Sequence, residues 1–106
     1  VIGIRHQADV QLPAGLEPYR RTPSFNEATV PGALLKDHSI KPGVWGLIRV
    51  AEGRLRYLVT DPRRLPSEQI LTCDSLPGVI EPTVLHRVEP IGLVQFHVEF
   101  LRELGG

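Results

Sequence analysis

The chain has 106 residues, 42% of them apolar, which is enough for one hydrophobic core and too few for two. Twelve basic residues balance twelve acidic ones, so no global charge draws it to nucleic acid or to an anionic membrane. A single cysteine, Cys73, excludes an internal disulfide and a multi-thiolate zinc site, and no apolar run approaches the ~20 residues of a membrane span.

Residues 1–24 show little periodicity, with Ile2, Ile4, Val10, Leu12 and Leu16 scattered among turn formers and Pro13-Ala14-Gly15 reading as a turn. Residues 1–17 are therefore expected to form an irregular arm or an edge strand, or to pack on a partner subunit, ahead of a single domain at 18–106. The N-terminus lacks a basic-then-apolar leader pattern, which makes a cytoplasmic location the expectation.

From Thr29 the signals come at short intervals. Pro31-Gly32 marks a turn before Ala33–Asp37, and Lys41-Pro42-Gly43 another before Val44–Ala51. Val44, Ile48 and Val50 share one face of that strand, and Trp45, Leu47 and Arg49 the other. Glu52-Gly53 predicts a two-residue hairpin turn, because such turns need a left-handed residue and glycine adopts that conformation freely. Arg54–Thr60 then alternates, with Leu55, Tyr57 and Val59 on one side.

Asp61-Pro62 to Pro66 reads as a polar loop and Gln69–Cys73 as a short strand, ending on a buried, inert thiol. Pro77-Gly78, Pro82 and Pro90-Ile91-Gly92 mark three further corners. Leu93–Leu101 is the best patterned strand: Val94, Phe96, Val98 and Phe100 face one way, Gln95, His97 and Glu99 the other. Phe100–Leu104 could form a brief terminal helix that Gly105-Gly106 would end. The arginine pairs Arg20-Arg21, Arg54/Arg56 and Arg63-Arg64 read as solvated loop and edge charges. Ten prolines and ten glycines, spread through the chain, would break most helices, so the expected fold is all-β, a small sandwich or barrel.

Of four histidines, His6 has no evident partner, whereas His38, His86 and His97 fall on or at the ends of predicted strands. Neutral imidazole is the commonest metal ligand, and three nitrogen or oxygen donors with water suit zinc or non-haem iron. The candidate metal set is His38, His86, His97 and Glu99, holding one divalent ion. If Val94, Phe96, Val98 and Phe100 fill the interior, His97 and Glu99 point outward, and they serve a pocket only where that face is covered. Trp45, Tyr57 and Glu89 are candidate pocket residues. No phosphate-binding glycine loop, Gly-x-Ser-x-Gly elbow or His-Glu-x-x-His motif is present, so no catalytic residue is assigned and enzyme status stays open.

Four stretches carry a resemblance: Pro31–His38, Gly43–Tyr57, Glu81–Glu89 and Phe96–Phe100. Together they resemble the cupin-like TehB/YeaR domain family, over roughly residues 18–102. That family occurs as a small bacterial stand-alone protein and as a domain attached to tellurite-resistance methyltransferases. The resemblance implies a jelly-roll β-barrel. Of the general first cupin motif, Gly32, His38 and Gly53 fit, while Ile40 stands where a second histidine would be and Gly46 where a glutamate would be. His86 matches the histidine of the second motif, so two of four usual ligands are present and His97 or Glu99 would complete the set.

The expected function is thus a cupin-like protein holding a metal ion or a small polar ligand in a barrel mouth, in an oxyanion, tellurite or stress response. A metal-free small-molecule-binding module and a structural homodimerisation domain are the alternatives.

Overall fold

The structure, a computed structural model, describes residues 11–103. Most of the expected arm, including His6, and the chain end from Leu104 with its glycine pair lie outside the described residues. Six strands form one antiparallel sheet: β1 (Leu16–Arg21), β2 (Phe25–Asn26), β3 (Trp45–Val59), β4 (Ser67–Leu71), β5 (Gly78–Ile80) and β6 (His86–Glu103). The only helix among the described residues is a single 3-10 turn at Gly32–Leu35, so the all-β expectation is borne out.

Two long strands carry the fold. β3 and β6 pair from Trp45 opposite Leu101 to Val59 opposite His86. Short strands line their outer edges, with β1 and β2 along β6 and with β5 and β4 along β3. The expected jelly-roll barrel needs correction here. The order β1-β6-β3-β4 leaves β1 and β4 as edges, so the sheet is not closed into a barrel. Closure requires a continuous ladder around the ring, and β2 and β5, at two and three residues, are too short to supply one.

A second correction concerns Glu52-Gly53, which does not form a hairpin. β3 runs straight through it, with register shifts against β6 between Val50 and Glu52 and between Gly53 and Arg54. Ala51 is the extra residue of a β-bulge, and one extra residue moves every later side chain to the opposite face. That is why Ile48, at an even position, and Leu55, Tyr57 and Val59, at odd ones, are all buried in the same core. Opposite the bulge, Pro90-Ile91-Gly92 lies within β6 instead of ending a corner before it. Gly53 has φ +78°, and a Cβ there would stand 2.0 Å from the Leu93 carbonyl oxygen. Only glycine fits.

The bulge bends the ribbon so that its two halves pack on each other. The Tyr57 hydroxyl, on the far half of β3, donates to the Val79 carbonyl on β5 at 2.8 Å. Ile48, Leu55, Leu71 and Phe96 are each no more than 1% exposed, and full burial of such a side chain contributes roughly 1.5–3 kcal/mol. Two smaller expectations are corrected as well. Cys73 lies past the end of β4 and is exposed, and Phe100–Glu103 continue β6 as strand instead of turning into a helix.

Candidate functional site

The site begins with backbone. After the 3-10 turn the chain is extended at His38, whose N–H donates to the His86 carbonyl at 2.9 Å while the His86 N–H donates back at the same distance. This isolated bridge sets the two imidazoles side by side, with ring centroids 4.2 Å apart and planes tilted by 54°. Each ring is turned by its own segment. His38 Nδ1 lies 2.8 Å from the Lys36 carbonyl oxygen, and His86 Nδ1 lies 2.9 Å from that of Val84. A carbonyl can only accept, so this network assigns a hydrogen to Nδ1 in both rings and leaves Nε2 with its lone pair when the ring is neutral. Burial pushes the His86 imidazole down to about 4, against the opposing pull of the Val84 carbonyl, so it is neutral at physiological pH.

A clamp behind His86 fixes its approach. The buried Asp61 carboxylate accepts from Arg63 Nε at 2.9 Å and Nη2 at 2.8 Å, and from the Leu85 N–H at 2.9 Å. Arg63 Nη2 also donates to the Thr83 carbonyl at 2.6 Å. Thr83 has φ +65°, a left-handed conformation that costs a β-branched residue about 1–3 kcal/mol. The arginine beside it and the Leu85 and Arg63 amides hold the Asp61 carboxyl well below the usual carboxylate range. Arg63, read from the sequence as a solvated loop charge, is more than half exposed and also pairs with Asp61.

Beneath the two rings lies a cavity of about 180 Å³. Ile48, Val88, Phe96 and Val98 form its floor on the inner faces of β3 and β6, and Phe25, Pro31 and Leu34 lie along it from β2 and the 3-10 turn. Ile40, Ile80 and Phe100 complete the apolar wall, and Thr22, His38 and His86 are the polar residues along it.

The sequence candidates divide between two faces. His38 and His86 share the cavity. His97 and Glu99 lie on the opposite face of β6, as the alternation with Phe96 and Val98 requires. There Glu99 accepts from Arg49 Nε at 2.7 Å, which holds its carboxyl below the ordinary range, and His97 Nε2 stands 3.5 Å from Glu99 Oε2. Glu89 belongs to a chain of surface ion pairs with Arg56 and Arg87, the latter reaching Asp37 at 3.0 Å. Trp45 is half-buried opposite Leu101, outside the cavity. Tyr57 backs His86 edge-on, at 5.8 Å between centroids, and burial pushes its hydroxyl up. It supports the site without lining it. Phe25 and Leu34, which do line it, carried no readable signal beyond being apolar near a turn.

A family model described as the TehB-like domain matches residues 20–98. Two curated relatives from Haemophilus influenzae strains, each bearing the name probable S-adenosyl-L-methionine-dependent methyltransferase TehB, are 31% and 30% identical over 74 residues. That stretch is 69% of this chain and 26% of either relative, so the chain spans about a quarter of the length of the curated relatives it matches. The crystal structure of TehB from Haemophilus influenzae superposes with a TM-score of 0.78 at 25% identity, over 85% of this chain and 32% of that one. A crystal structure of an Escherichia coli strain K12 protein does so with a TM-score of 0.72 at 25% identity, over 89% of this chain and 97% of that one.

These findings overturn the expectation of a divalent metal and of a metal or polar ligand in a barrel mouth. The relatives are named for S-adenosyl-L-methionine, the sheet forms no barrel mouth, and His97 and Glu99 lie across the sheet from the histidine pair. Among the described residues, no three His, Cys, Asp or Glu groups are placed to hold a metal ion. The TehB part of the resemblance stands and the cupin part does not: this chain belongs to the TehB-like domain family.

Proposed function

We propose that this chain is a ligand-holding β-sheet domain that works beside S-adenosyl-L-methionine-dependent methyl transfer, in the tellurite-resistance setting that the family resemblance implies. Its cavity beneath His38 and His86 receives a small, mostly apolar molecule that is a substrate or product of that transfer. The observation that carries the reading is the cavity, preformed and lined by hydrocarbon apart from Thr22 and two imidazoles, in a chain whose relatives bear that name.

The cavity does not fit S-adenosyl-L-methionine itself. That cofactor carries a sulfonium, an ammonium and a carboxylate, and no Asp, Glu, Lys or Arg lines the wall. Burying such charges without partners is strongly unfavourable. A volume of about 180 Å³ is also below the ~300–1,000 Å³ of pockets that take larger ligands. We therefore assign the cofactor to the part of the relatives that this chain does not match, and no methyl-transfer step to the residues described above.

The test is a titration of protein labelled at its isoleucine, leucine and valine methyls with toluene, followed by NMR. Saturable shifts confined to the lining methyls of Leu34, Ile40, Ile48, Ile80, Val88 and Val98 support the reading, and Leu34→Trp, which fills the space, should abolish them. Shifts that never saturate, or that spread over the surface, would remove it.

A further inference from the structure

Backbone hydrogen bonds tie down the wall of the cavity along every segment but one. Ile48 and Val98 stand on the paired strands β3 and β6, Phe25 is paired with Phe96, and Ile80 with Gly46. The Thr22 N–H donates to the Val98 carbonyl, the Ile40 carbonyl accepts from the Thr83 N–H, and His38 is bridged to His86. Pro31 and Leu34 line the cavity without such a tie. Among the described residues, the backbone-to-backbone hydrogen bonds of residues 31–37 close within the segment: Leu34 donates to Pro31 at 3.0 Å and Lys36 to Ala33 at 3.4 Å. We propose that residues 31–37 are a hinged flap through which a ligand enters and leaves the cavity. The flap presupposes the cavity reading above and gives that cavity its entry route.

The flap is anchored at both ends. Before it, the Val30 N–H donates to the Asn26 carbonyl at 2.9 Å, and after it stands the His38–His86 bridge. Swinging the segment between these points breaks no sheet hydrogen bond. Its main apolar loss is Leu34, half-buried against the core, since the rest of the flap is exposed. Its one ion pair, Asp37 with Arg87 Nη1 at 3.0 Å, joins partly exposed groups and adds little. A segment with so few buried contacts opens far more readily than the sheet beneath it. Gly32 supplies the pivot. Every other described glycine has a left-handed φ or a neighbour that a Cβ would crowd, whereas a Cβ at Gly32 would meet nothing within 4 Å. The closed conformation thus makes no demand for glycine there, and what glycine adds is backbone freedom.

The experiment measures toluene exchange by NMR relaxation dispersion of the labelled methyls, at matched occupancy, in the unmodified protein and in two variants outside the cavity wall. Gly32→Ala removes backbone freedom at the pivot, where the added methyl meets nothing. Ala33→Gly adds freedom one residue on, at an exposed position. Gly32→Ala should slow binding and release together, by about two- to fivefold, and Ala33→Gly should speed both by a similar factor. Affinity should be unchanged in each, because neither side chain touches the bound toluene. Rates that are identical in the three proteins, or changed in the reverse order, would put the entry elsewhere and overturn the flap while leaving the cavity in place. A change in only one of the two rates, with a matching change in affinity, would make these residues part of the bound state and overturn it as well. Failure of toluene to bind the unmodified protein would remove the cavity reading and the flap with it.

Discussion

His38 and His86 are joined through their backbones: each donates its N–H to the other's carbonyl, at 2.9 Å in both directions. The placement of the rings is therefore a property of the main chain, secured on one side by the 3-10 turn and on the other by the long strand β6. Side-chain substitution at either position removes a ring nitrogen without removing the bridge. That separation makes the site accessible to mutation.

His86 should make stability depend on pH. Its imidazole titrates near 4 in the fold and near 6.5 in the unfolded chain, so in acid the unfolded state binds the extra proton. Stability is complete above about 6.5 and falls as the pH drops towards about 4, by on the order of 3 kcal/mol. Urea unfolding across that range should show the loss, and His86→Gln should be flatter there. Asp61 and Glu99, whose carboxyls are held below their ordinary range, lose their contributions only at lower pH. Parallel curves for the two proteins would contradict the assignment.

Gly53→Ala should destabilise strongly. The substitution forces a side chain into a φ of +78° and drives a Cβ against the Leu93 carbonyl. A loss of about 2–3 kcal/mol in urea unfolding is expected. A loss below about 0.5 kcal/mol, within the range of ordinary surface substitutions, would mean that the bulge is not where the register shift places it.

The Asp61 clamp should report on the segment before His86. Asp61→Asn should lower the melting temperature, and Asp61→Ala should lower it further, because the Leu85 amide then loses its acceptor. Hydrogen exchange at Leu85 is the local readout. Unchanged protection in Asp61→Ala would show that Arg63 and the strand hold that amide by themselves.

The outer face should be indifferent to the cavity. Glu99→Ala removes an ion pair with a half-exposed Arg49 and should cost less than about 1 kcal/mol. Neither it nor His97→Ala should alter toluene affinity. A large change in either would connect the two faces in a way the alternation of β6 does not allow.

Much of this arrangement was legible from residue pattern. The alternation of Leu55, Tyr57 and Val59, and of Val94, Phe96 and Val98, identified two strands and their buried faces. It also implied that His97 points away from Phe96. The hairpin at Glu52-Gly53 failed for a definite reason: a hairpin turn and a glycine bulge both call for a left-handed glycine after a polar residue. What distinguishes them is whether Gly53 faces Val94 on a strand distant in sequence, and a local pattern does not record that pairing. The same blindness split β6 at Pro90. The histidine pair was found because imidazoles are conspicuous among apolar strands. Its hydrocarbon wall was not, since Phe25 and Leu34 look like any core residues until the sheet curls over them.

The cavity is the premise beneath every ligand argument above, and a crystal of the protein pressurised with xenon tests it most directly. Xenon enters apolar spaces of this size without needing a polar partner. It should appear as one ordered peak bounded by Leu34, Ile48, Val88 and Phe96, below the two imidazoles. A crystal structure with Leu34 and Phe25 collapsed onto Ile48, and no xenon between them, would show that there is no chamber for a ligand to occupy.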